Sequence, residues 1–254
     1  MKFNNSDNYS FLKDTCNWDR LNNIMITCDI DWAPDFIIKY FLESINSKIS
    51  IFITNNSPKQ KILSKSKIEV GYHPNLHKNS TQGKNLKECM IYLNKISKKK
   101  LKFNRFHLLN YTYNDLKELK NYGVKVDSSI LLFNTSYIQP IEFRNYKLIQ
   151  VPYFWEDGTA INNNLIGNNK KINLRSKGCK IFNFHPIDFY FNIFNIKHKI
   201  SIMQYFKDHK FITKNESKKF INYKNYGVRN FYEDLINYCS TNKIKISTLG
   251  SLYK

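Results

Sequence analysis

Short apolar runs alternate with amphipathic stretches along most of the chain. Runs rich in β-branched and aromatic side chains are typical of strands buried in a sheet. They predict strands at Ile24–Cys28, Ile49–Thr54, Ile68–Tyr72, Val124–Asp127, Leu148–Tyr153, Ile181–Phe184 and Lys245–Leu249. Apolar residues at helical spacing instead predict helices at Asp35–Ile45, Asn85–Ser97, Asn114–Asn121 and Arg229–Ser240.

Two of these helices carry local boundary signals. Pro34 precedes the first, where its fixed φ suits the first turn, and Gly123 follows the third as a C-terminal cap would. The segments Ile161–Lys180 and Asn192–Asn225 show neither period and remain unassigned. The alternation of strands and helices predicts an α/β protein with a mostly parallel sheet, open or closed into a barrel. Because no repeat, linker or hinge divides the sequence, we predict a single domain over 1–254 with its core at about 24–250.

Composition supports a packed, non-membrane-spanning protein. Hydrophobic residues make up 42% of the 254 residues and aromatic residues 15%, enough for a substantial core. No apolar run approaches the length of about 18 residues typical of a spanning helix, and the N-terminus lacks a signal-peptide pattern. We therefore expect a cytoplasmic location, with peripheral membrane attachment left open. The five scattered cysteines form no CxxC pair, which favours core thiols over disulfides or a thiolate zinc site.

The charge balance is strongly basic, with 40 Lys and Arg against 20 Asp and Glu. One explanation is a surface that attracts nucleic acid, anionic lipid headgroups or phosphate-linked sugars. The other is compositional enrichment, because Lys, Asn, Ile and Tyr are frequent throughout and the lysines form no single basic arm. The sequence contains no recognisable helix-turn-helix, zinc-finger or RNA-binding motif, so no specific nucleic-acid partner is expected.

Polar residues with chemical potential follow several of the predicted strands. In α/β folds the carboxyl ends of the strands, and the loops after them, carry the reactive groups. The residues in such positions are Asp29, Asp31, His73, His77, Asp127, Trp155, Glu156, Asp157 and His185, while Arg105 and His107 lie in NRFHLLN, ahead of a predicted helix. Their shared placement is a stronger signal than any one motif.

Two of these motifs suggest a metal-assisted hydrolysis. His73 and His77 have the HxxxH spacing that lets two imidazoles bind one ion from a helical turn, which Pro74 could open. Asp29 and Asp31 share a face of an extended strand, so one could bind the metal while the other takes a proton from water. The structural alternatives are hydrogen-bonded loop histidines and an acidic turn, with Asp35 as the N-cap of the following helix.

Two further residues each allow a functional and a structural interpretation. His185, after the apolar strand IFNF, is either a buried core histidine or a general acid for a departing amine. Arg105 is either a surface cation or a partner that holds Asp29 ionised and oriented.

With these motifs in place, the sequence resembles the polysaccharide deacetylase (NodB-homology, carbohydrate esterase 4-like) family, in particular its WbmS-like surface-polysaccharide branch. The resemblance runs from about Ile24 to the last strand and rests on TCDIDWAPD, EVGYHPNLHKNS, NRFHLLN and FHP. It implies a distorted (β/α) barrel. It also implies that one aspartate of the first motif is the base and the other a metal ligand, that two histidines bind the metal, that the arginine orients the base, and that the last histidine is the acid.

The sequence departs from the family pattern in two motifs. Ile30 separates Asp29 from Asp31, where the family has adjacent aspartates, so the base and ligand roles could be exchanged. Phe106-His107 stands where the family has proline after the arginine. Three roles remain open for His107: an additional metal ligand, a hydrogen bond to substrate, or none.

Together these inferences predict a metal-dependent carbohydrate N-deacetylase with a divalent ion, Zn²⁺ by preference. The assigned residues are Asp31, His73 and His77 as metal ligands, Asp29, Arg105 and His185 as the catalytic group, and Trp32, Tyr153, Trp155 and His107 as substrate-binding residues; the aromatic side chains could equally be core. The expected substrate is an N-acetylated or N-formylated amino sugar, attached to a nucleotide or lipid carrier, used in surface polysaccharide biosynthesis.

Two other functions remain open, besides nucleic-acid binding. The chain could be a non-catalytic carbohydrate-binding member of the same fold, or it could hydrolyse a non-sugar amide. The sequence gives no indication of the oligomeric state.

Overall fold

One curled sheet organises the computed structural model, which describes residues 23–55, 67–174 and 178–253. Its strands are β1 (Asn23–Asp29), β2 (Ile49–Ile53), β3 (Ile68–Tyr72), β4 (Phe103–Asn104), β5 (Val126–Asp127), β6 (Ile141–Phe143), β7 (Leu148–Gln150), β8 (Trp155–Glu156), β9 (Lys180–Phe184) and β10 (Lys245–Ser247). They lie in the order β6-β7-β5-β4-β3-β2-β1-β9-β8, with β10 also beside β1.

All neighbouring strands are parallel except β6 and β7. Strand β1 pairs with three other strands. Its residues 24–28 pair with β9 on one side. On its other side, residues 23–25 pair with β10 and residues 27–29 pair with β2. The carboxyl ends of the parallel strands therefore meet at one edge of the sheet, as the sequence pattern predicts.

Helices connect the strands and cover the sheet. They are α1 (Asp35–Ser44), α2 (Leu86–Ser97), α3 (Tyr113–Glu118), α4 (Asp157–Asn162), α5 (Pro186–Phe191), α6 (Ile196–Phe206), α7 (Lys214–Ser217) and α8 (Val228–Thr241). None of the helices in the described ranges is long and apolar enough to cross a bilayer.

Burial explains why these elements form where they do. Every residue of β2 and β9 is buried, so both strands have continuous apolar runs rather than alternation. Helix α1 buries one face of apolar residues, including Ile37, Ile38 and Phe41. The four cysteines in the described ranges, Cys28, Cys89, Cys179 and Cys239, are buried, which confirms the core interpretation for them; Cys16 lies outside the described residues.

Several boundaries differ from the sequence prediction. Gly123 does end the third predicted helix with a left-handed cap (φ 79°), but the last turn of that helix is 3-10. Pro34 rather than Asp35 is the N-cap of α1, because Asp35 already has helical geometry as its first residue. The short strands β4, β6 and β8 were not predicted as elements, since two or three residues are too few to show a period. The helices between 186 and 217 were not predicted either; α6 has 11 residues, but the residues that it buries, Ile202 and Phe206, form too small an apolar stripe to stand out.

Candidate active site

A small cavity lies at the carboxyl edge of the sheet. Its volume is about 210 Å³, and it is lined by Asp29, Asp31, Trp32, His73, Phe106, His107, Leu108, Leu109, Leu131, Tyr153, Glu156 and His185. These residues follow or end strands β1, β3, β4, β5, β8 and β9, or belong to the loop that precedes β8. Folding thus brings together most of the polar residues that the sequence pattern singled out.

Three buried side chains form a compact donor group in this cavity. Asp31, His73 and His107 each offer an atom within 4.8 Å of the others'. His73 Nε2 lies 3.4 Å from Asp31 Oδ1, and His107 Nδ1 lies 3.3 Å from Asp31 Oδ2. The two imidazole nitrogens are 3.3 Å apart. One carboxylate and two imidazoles thus face a common point.

A backbone hydrogen bond orients the His73 ring. Its Nδ1 lies 2.7 Å from the backbone oxygen of Arg105, so Nδ1–H donates and Nε2 is left as the lone-pair nitrogen of the neutral ring. Burial alone would lower the pKa of His73, but the carboxylates of Asp29 and Asp31 raise it overall. The same negative field favours a bound cation.

The donor group fits a divalent metal ion. Within the described part of the chain, the buried Asp31 Oδ1 has no hydrogen-bond partner, a costly situation that a cation would relieve. Tetrahedral zinc with bonds of about 2.0–2.1 Å separates neighbouring ligand atoms by roughly 3.3 Å, close to the spacings found here. Burial would raise the pKa of Asp31, but the neighbouring His107 and His73 imidazoles hold this pKa well below its usual value, so the carboxylate is ionised.

His77 differs from its predicted place. It is exposed, and its ring centroid lies 5.8 Å from that of His107. The residues after Pro74 form an irregular loop with a turn rather than a helical turn, and the His77 amide donates to the side chain of Asn75 (3.0 Å). The HxxxH pair therefore does not present both imidazoles from one helix face. His107, predicted to contact substrate, takes the third position of the donor group.

Arg105 holds the other aspartate, as the sequence interpretation required. Its side chain is 1% exposed, and Nη1 lies 3.1 Å from Asp29 Oδ1. Nε donates to the Ser128 backbone oxygen (2.8 Å) and Nη2 to Ser128 Oγ (3.1 Å). The guanidinium lies between the rings of Phe52 and Tyr153, at 4.5 and 4.3 Å from their centroids. These contacts fix Arg105 and, through it, Asp29.

Two neighbours complete the environment of Asp29, and sequence reasoning missed both. Asn183 Nδ2 donates to Asp29 Oδ2 (2.9 Å), and its amide oxygen accepts from Arg105 Nη1. Thr27 Oγ1 accepts from Arg105 Nη1 (3.1 Å). The available signal was strand alternation, because Thr27 is two residues before Asp29 and Asn183 two residues before His185.

His185 faces Asp29 across the cavity and is held by Asp157. Its Nδ1 lies 2.6 Å from Asp157 Oδ1, its backbone amide donates to Asp157 Oδ2 (2.6 Å), and its Nε2 lies 3.9 Å from Asp29 Oδ2. Burial would lower the pKa of His185, but the charge and hydrogen bond of Asp157 raise it well above the ordinary value. The ring therefore stays protonated near neutral pH, with Nε2 toward the cavity.

A second ion pair lies next to Asp157 and His185. Asp188 is buried on α5, and its Oδ2 accepts from Lys199 Nζ on α6 at 2.7 Å. Asp157, His185 and Asp188 could by their spacing form another metal group. Lys199 already supplies a positive charge to Asp188, so we treat this cluster as support for His185.

The predicted aromatic residues fall into three different environments. Trp32 is 53% exposed at the cavity mouth, with its ring edge-on to His107 (5.0 Å) and stacked on His209 (5.6 Å, 18°). Tyr153 lines the cavity but is 2% exposed and packs on Arg105. Trp155 is fully buried, stacked 4.4 Å from Phe231, so its predicted contact with substrate is wrong.

Asp127 is a structural residue. It is fully buried and accepts hydrogen bonds from Asn104, Ser129 and Gln150. Burial raises the pKa of this carboxyl, and the surrounding donors oppose that rise. The group ties β4, β5 and β7 together below the cavity.

Comparisons with known proteins agree with this geometry. The profile of the family described as WbmS-like polysaccharide deacetylase matches residues 26–203, more than half of the chain. A solved structure of WbmS from Bordetella bronchiseptica, a proposed polysaccharide deacetylase involved in O-antigen biosynthesis, is similar over 85% of this chain and 90% of that chain, with a TM-score of 0.72 and 21% identity. Among curated proteins, no sequence matches the chain.

A more distant solved structure is a Bacillus anthracis CE4-family pseudoenzyme, in a variant with restored enzymatic activity. It is 10% identical, with a TM-score of 0.50 over 93% of this chain and 69% of that chain. At these identities the likeness concerns the fold alone. It confirms the predicted α/β fold, a distorted barrel of the NodB-homology type.

Proposed function

Because the chain belongs to the WbmS-like polysaccharide deacetylase family, we propose that it is a metal-dependent hydrolase of amino-sugar amides. It removes an N-acyl group, acetyl or formyl, during the synthesis of a surface polysaccharide. The observation that carries the proposal is the buried group Asp31, His73 and His107, which lies in one cavity with Asp29 and His185.

Asp31, His73 and His107 would hold the divalent ion. Two imidazoles and one carboxylate suit Zn²⁺, which is the metal we propose. When bound, such an ion makes water more acidic and draws charge from an amide carbonyl, which favours attack near neutral pH. The exposed His77, near the His107 ring, stays outside this proposed set.

Asp29 is the proposed base. It accepts the proton of the attacking water, because its carboxylate faces the cavity and is held by Arg105 at 3.1 Å and Asn183 at 2.9 Å. Arg105 acts through Asp29, since its own donors are used by Asp29, Ser128 and the neighbouring side chains. Ile30 separates the two aspartates, so that Asp29 binds Arg105 while Asp31 lies beside His73 and His107.

His185 is the proposed acid. Asp157 binds Nδ1, so the Nε2 proton is directed toward the cavity and can be donated to the departing nitrogen. Because Nε2 lies 3.9 Å from Asp29 Oδ2, acid and base flank the same space. Proton acceptance by Asp29 and proton donation by His185 therefore need no large movement of the protein.

The sugar would enter past Trp32. Its exposed ring at the cavity mouth offers a flat apolar face to a pyranose ring. Glu156 also lines the cavity, and its Oε2 accepts a hydrogen bond from Thr159 Oγ1 (2.6 Å). A carboxylate can accept more than one hydrogen bond, so Glu156 could also accept from a sugar hydroxyl. A nucleotide or lipid carrier, in a cytoplasmic setting, would stay outside the cavity.

The test is amine release by zinc-loaded protein from N-acetylated and N-formylated amino sugars, free and carrier-linked. We expect Asp29→Asn to keep its metal, measured by elemental analysis, and to lose at least about 100-fold in kcat. Glu43→Gln, which removes an exposed carboxylate paired with Lys39 on α1, is the matched control and should be unaffected. If Asp29→Asn turns over normally, or if no amide is hydrolysed by the metal-loaded protein, the proposal fails.

A further inference from the structure

Three large, exposed apolar side chains belong to the loops that line the cavity, and we call them the apolar rim: Trp32, Leu108 and Leu132. They are 53%, 60% and 40% exposed. Trp32 and Leu108 line the cavity directly, and Leu132 follows the lining residue Leu131. They come from three separate loops that folding brings to the same cavity, rather than from one apolar segment.

Part of the apolar rim has a left-handed backbone conformation. Trp32 has φ 61°, Leu108 φ 50° and Leu109 φ 55°. Side chains other than glycine, asparagine and aspartate rarely adopt this left-handed region, because Cβ then crowds the backbone. Strained residues cluster at functional sites, and here the strain accompanies apolar side chains that face solvent. A simple packing role does not explain this arrangement.

Charge differs sharply between the cavity and its surroundings. The lining contains the carboxylates of Asp29, Asp31 and Glu156, and no lysine or arginine from the described ranges belongs to it. Exposed Lys78 follows His77, whose ring lies 5.8 Å from that of His107. Lysine charge near the cavity therefore lies outside its lining, where it can attract an anionic surface.

A second exposed lysine lies on another segment near the rim. Lys207 is two residues before His209, whose ring stacks on Trp32 at 5.6 Å. Partly buried Asp208 follows it and offsets some of its charge. The chain as a whole has a formal net charge of +20, so the long-range field also attracts an anionic surface.

We propose that the apolar rim, with Lys78 and Lys207, is a docking surface for a membrane that contains anionic phospholipid. Exposed apolar side chains beside lysines are the combination that binds the interface of such membranes. The cavity mouth would then face the bilayer. Given the proposed function, this favours a sugar carried by a membrane lipid over one carried by a soluble nucleotide.

Vesicle co-sedimentation tests the proposal directly. Wild-type protein should bind vesicles that contain phosphatidylglycerol, should release from them as salt is raised, and should bind pure phosphatidylcholine vesicles much more weakly. The double variant Leu108→Asn/Leu132→Asn should lower the partition coefficient at least about tenfold. Asparagine tolerates the left-handed backbone at 108, so the loop should be preserved. Ile91→Asn, at a 59% exposed site on α2, is the control and should bind normally.

Two charge-reversing double variants test the electrostatic part of the membrane-docking proposal. Lys78→Glu/Lys207→Glu should lower binding to anionic vesicles by about 25-fold or more, because each lysine near such a surface contributes about fivefold. Lys98→Glu/Lys100→Glu changes the net charge equally. These residues follow α2 and precede β4, at the opposite edge of the sheet, and should have a smaller effect.

Several results would overturn the proposal. They are the absence of binding to anionic vesicles, equal binding to neutral vesicles, or equal losses in the control variants. Binding to an oligonucleotide instead of vesicles, or a dimer that Leu108→Asn/Leu132→Asn dissociates, would assign the rim to another partner. Asp29→Asn protein should bind vesicles like wild type, so this test and the activity test fail independently.

Discussion

At the scale of single residues, position 107 changes the composition of the proposed metal group. The HxxxH spacing favoured His77, yet the structure groups Asp31 and His73 with His107. The reason is local: without a helical turn after Pro74, four residues of separation no longer bring two imidazoles to one face. The replacement could not be read from spacing, since His73 and His107 lie on neighbouring strand ends.

The two histidines can be separated by substitution. We expect His107→Ala to lose bound zinc, with an affinity at least about tenfold lower, because it removes one of three ligands. His77→Ala should retain zinc at the wild-type ratio. Equilibrium dialysis with elemental analysis measures both. Retention of zinc by His107→Ala together with its loss from His77→Ala would restore the original HxxxH assignment.

The Asp157–His185 pair predicts the alkaline side of the pH profile. The proposed acid works when protonated, and its raised pKa keeps it protonated to higher pH, so kcat should fall as pH rises through that value. Asp157→Asn removes the raising charge and should move this fall to lower pH by about one to three units. The pH dependence of kcat checks this, and an unmoved alkaline limb would exclude His185 as the acid.

The same pair has a predictable effect on stability. A histidine whose pKa is raised on folding stabilises the protein fully below its ordinary value of about 6.5, and the contribution is lost as pH rises through the folded-state value. Asp157→Asn should therefore narrow the difference in the free energy of unfolding between acidic and alkaline pH. Urea unfolding at several pH values measures it.

At the scale of elements, one ion pair joins two helices that sequence periodicity did not find. Asp188 on α5 is 2% exposed in its side chain and binds Lys199 on α6. Lys199→Met leaves a buried carboxylate without its cation, so we expect a loss of about 1–3 kcal/mol in the free energy of unfolding. Lys39→Met, which breaks an exposed pair with Glu43 on α1, should change it by no more than about 0.5 kcal/mol.

Urea unfolding distinguishes the two variants, and a double variant refines the cause. Lys199→Met/Asp188→Asn removes both charges and should recover part of the lost stability. Equal losses in Lys199→Met and Lys39→Met would mean that the α5–α6 pair is no more than a surface contact. This prediction concerns folding and does not depend on the proposed reaction.

Most of the longer elements were predictable, and the shortest ones were not. Strands β1, β2 and β9 have apolar runs that packing on both faces requires, so composition alone indicated them. Strands β4 and β8 contain two residues each, and their pairing depends on neighbours far along the chain. The region between 192 and 225 contains α6, which buries a small apolar stripe of Ile202 and Phe206, and otherwise short helices and turns that no single period describes.

At the scale of the whole molecule, the aromatic core decides which tryptophan can meet a ligand. Trp155 packs on Phe231, Phe182 and Phe184 where β8 and β9 meet α8. We expect Trp155→Ala to lower the free energy of unfolding by about 3–5 kcal/mol. Trp155→Phe should cost much less, because Nε1 is buried without a hydrogen-bond partner in the described part of the chain.

The two Trp155 variants also test whether this side chain contacts the substrate. Trp155→Phe should leave KM unchanged, since the side chain has no exposed surface to offer a substrate. Thermal unfolding and steady-state kinetics measure the two effects. A large rise in KM for Trp155→Phe with unchanged thermal stability would return Trp155 to the binding site.

The sequence by itself determined the α/β class, most of the long strands, and the placement of Asp29, Asp31, His73 and His185 at strand ends. The period of apolar residues depends on residues close together in the chain, so helices and strands can be recognised from the sequence. Only the tertiary structure decided that His107 joins the donor group, that Asp157 holds His185, and that Trp155 is core while Trp32 is exposed. These outcomes depend on which strand ends become neighbours, and strand order is fixed by packing between residues far apart in sequence.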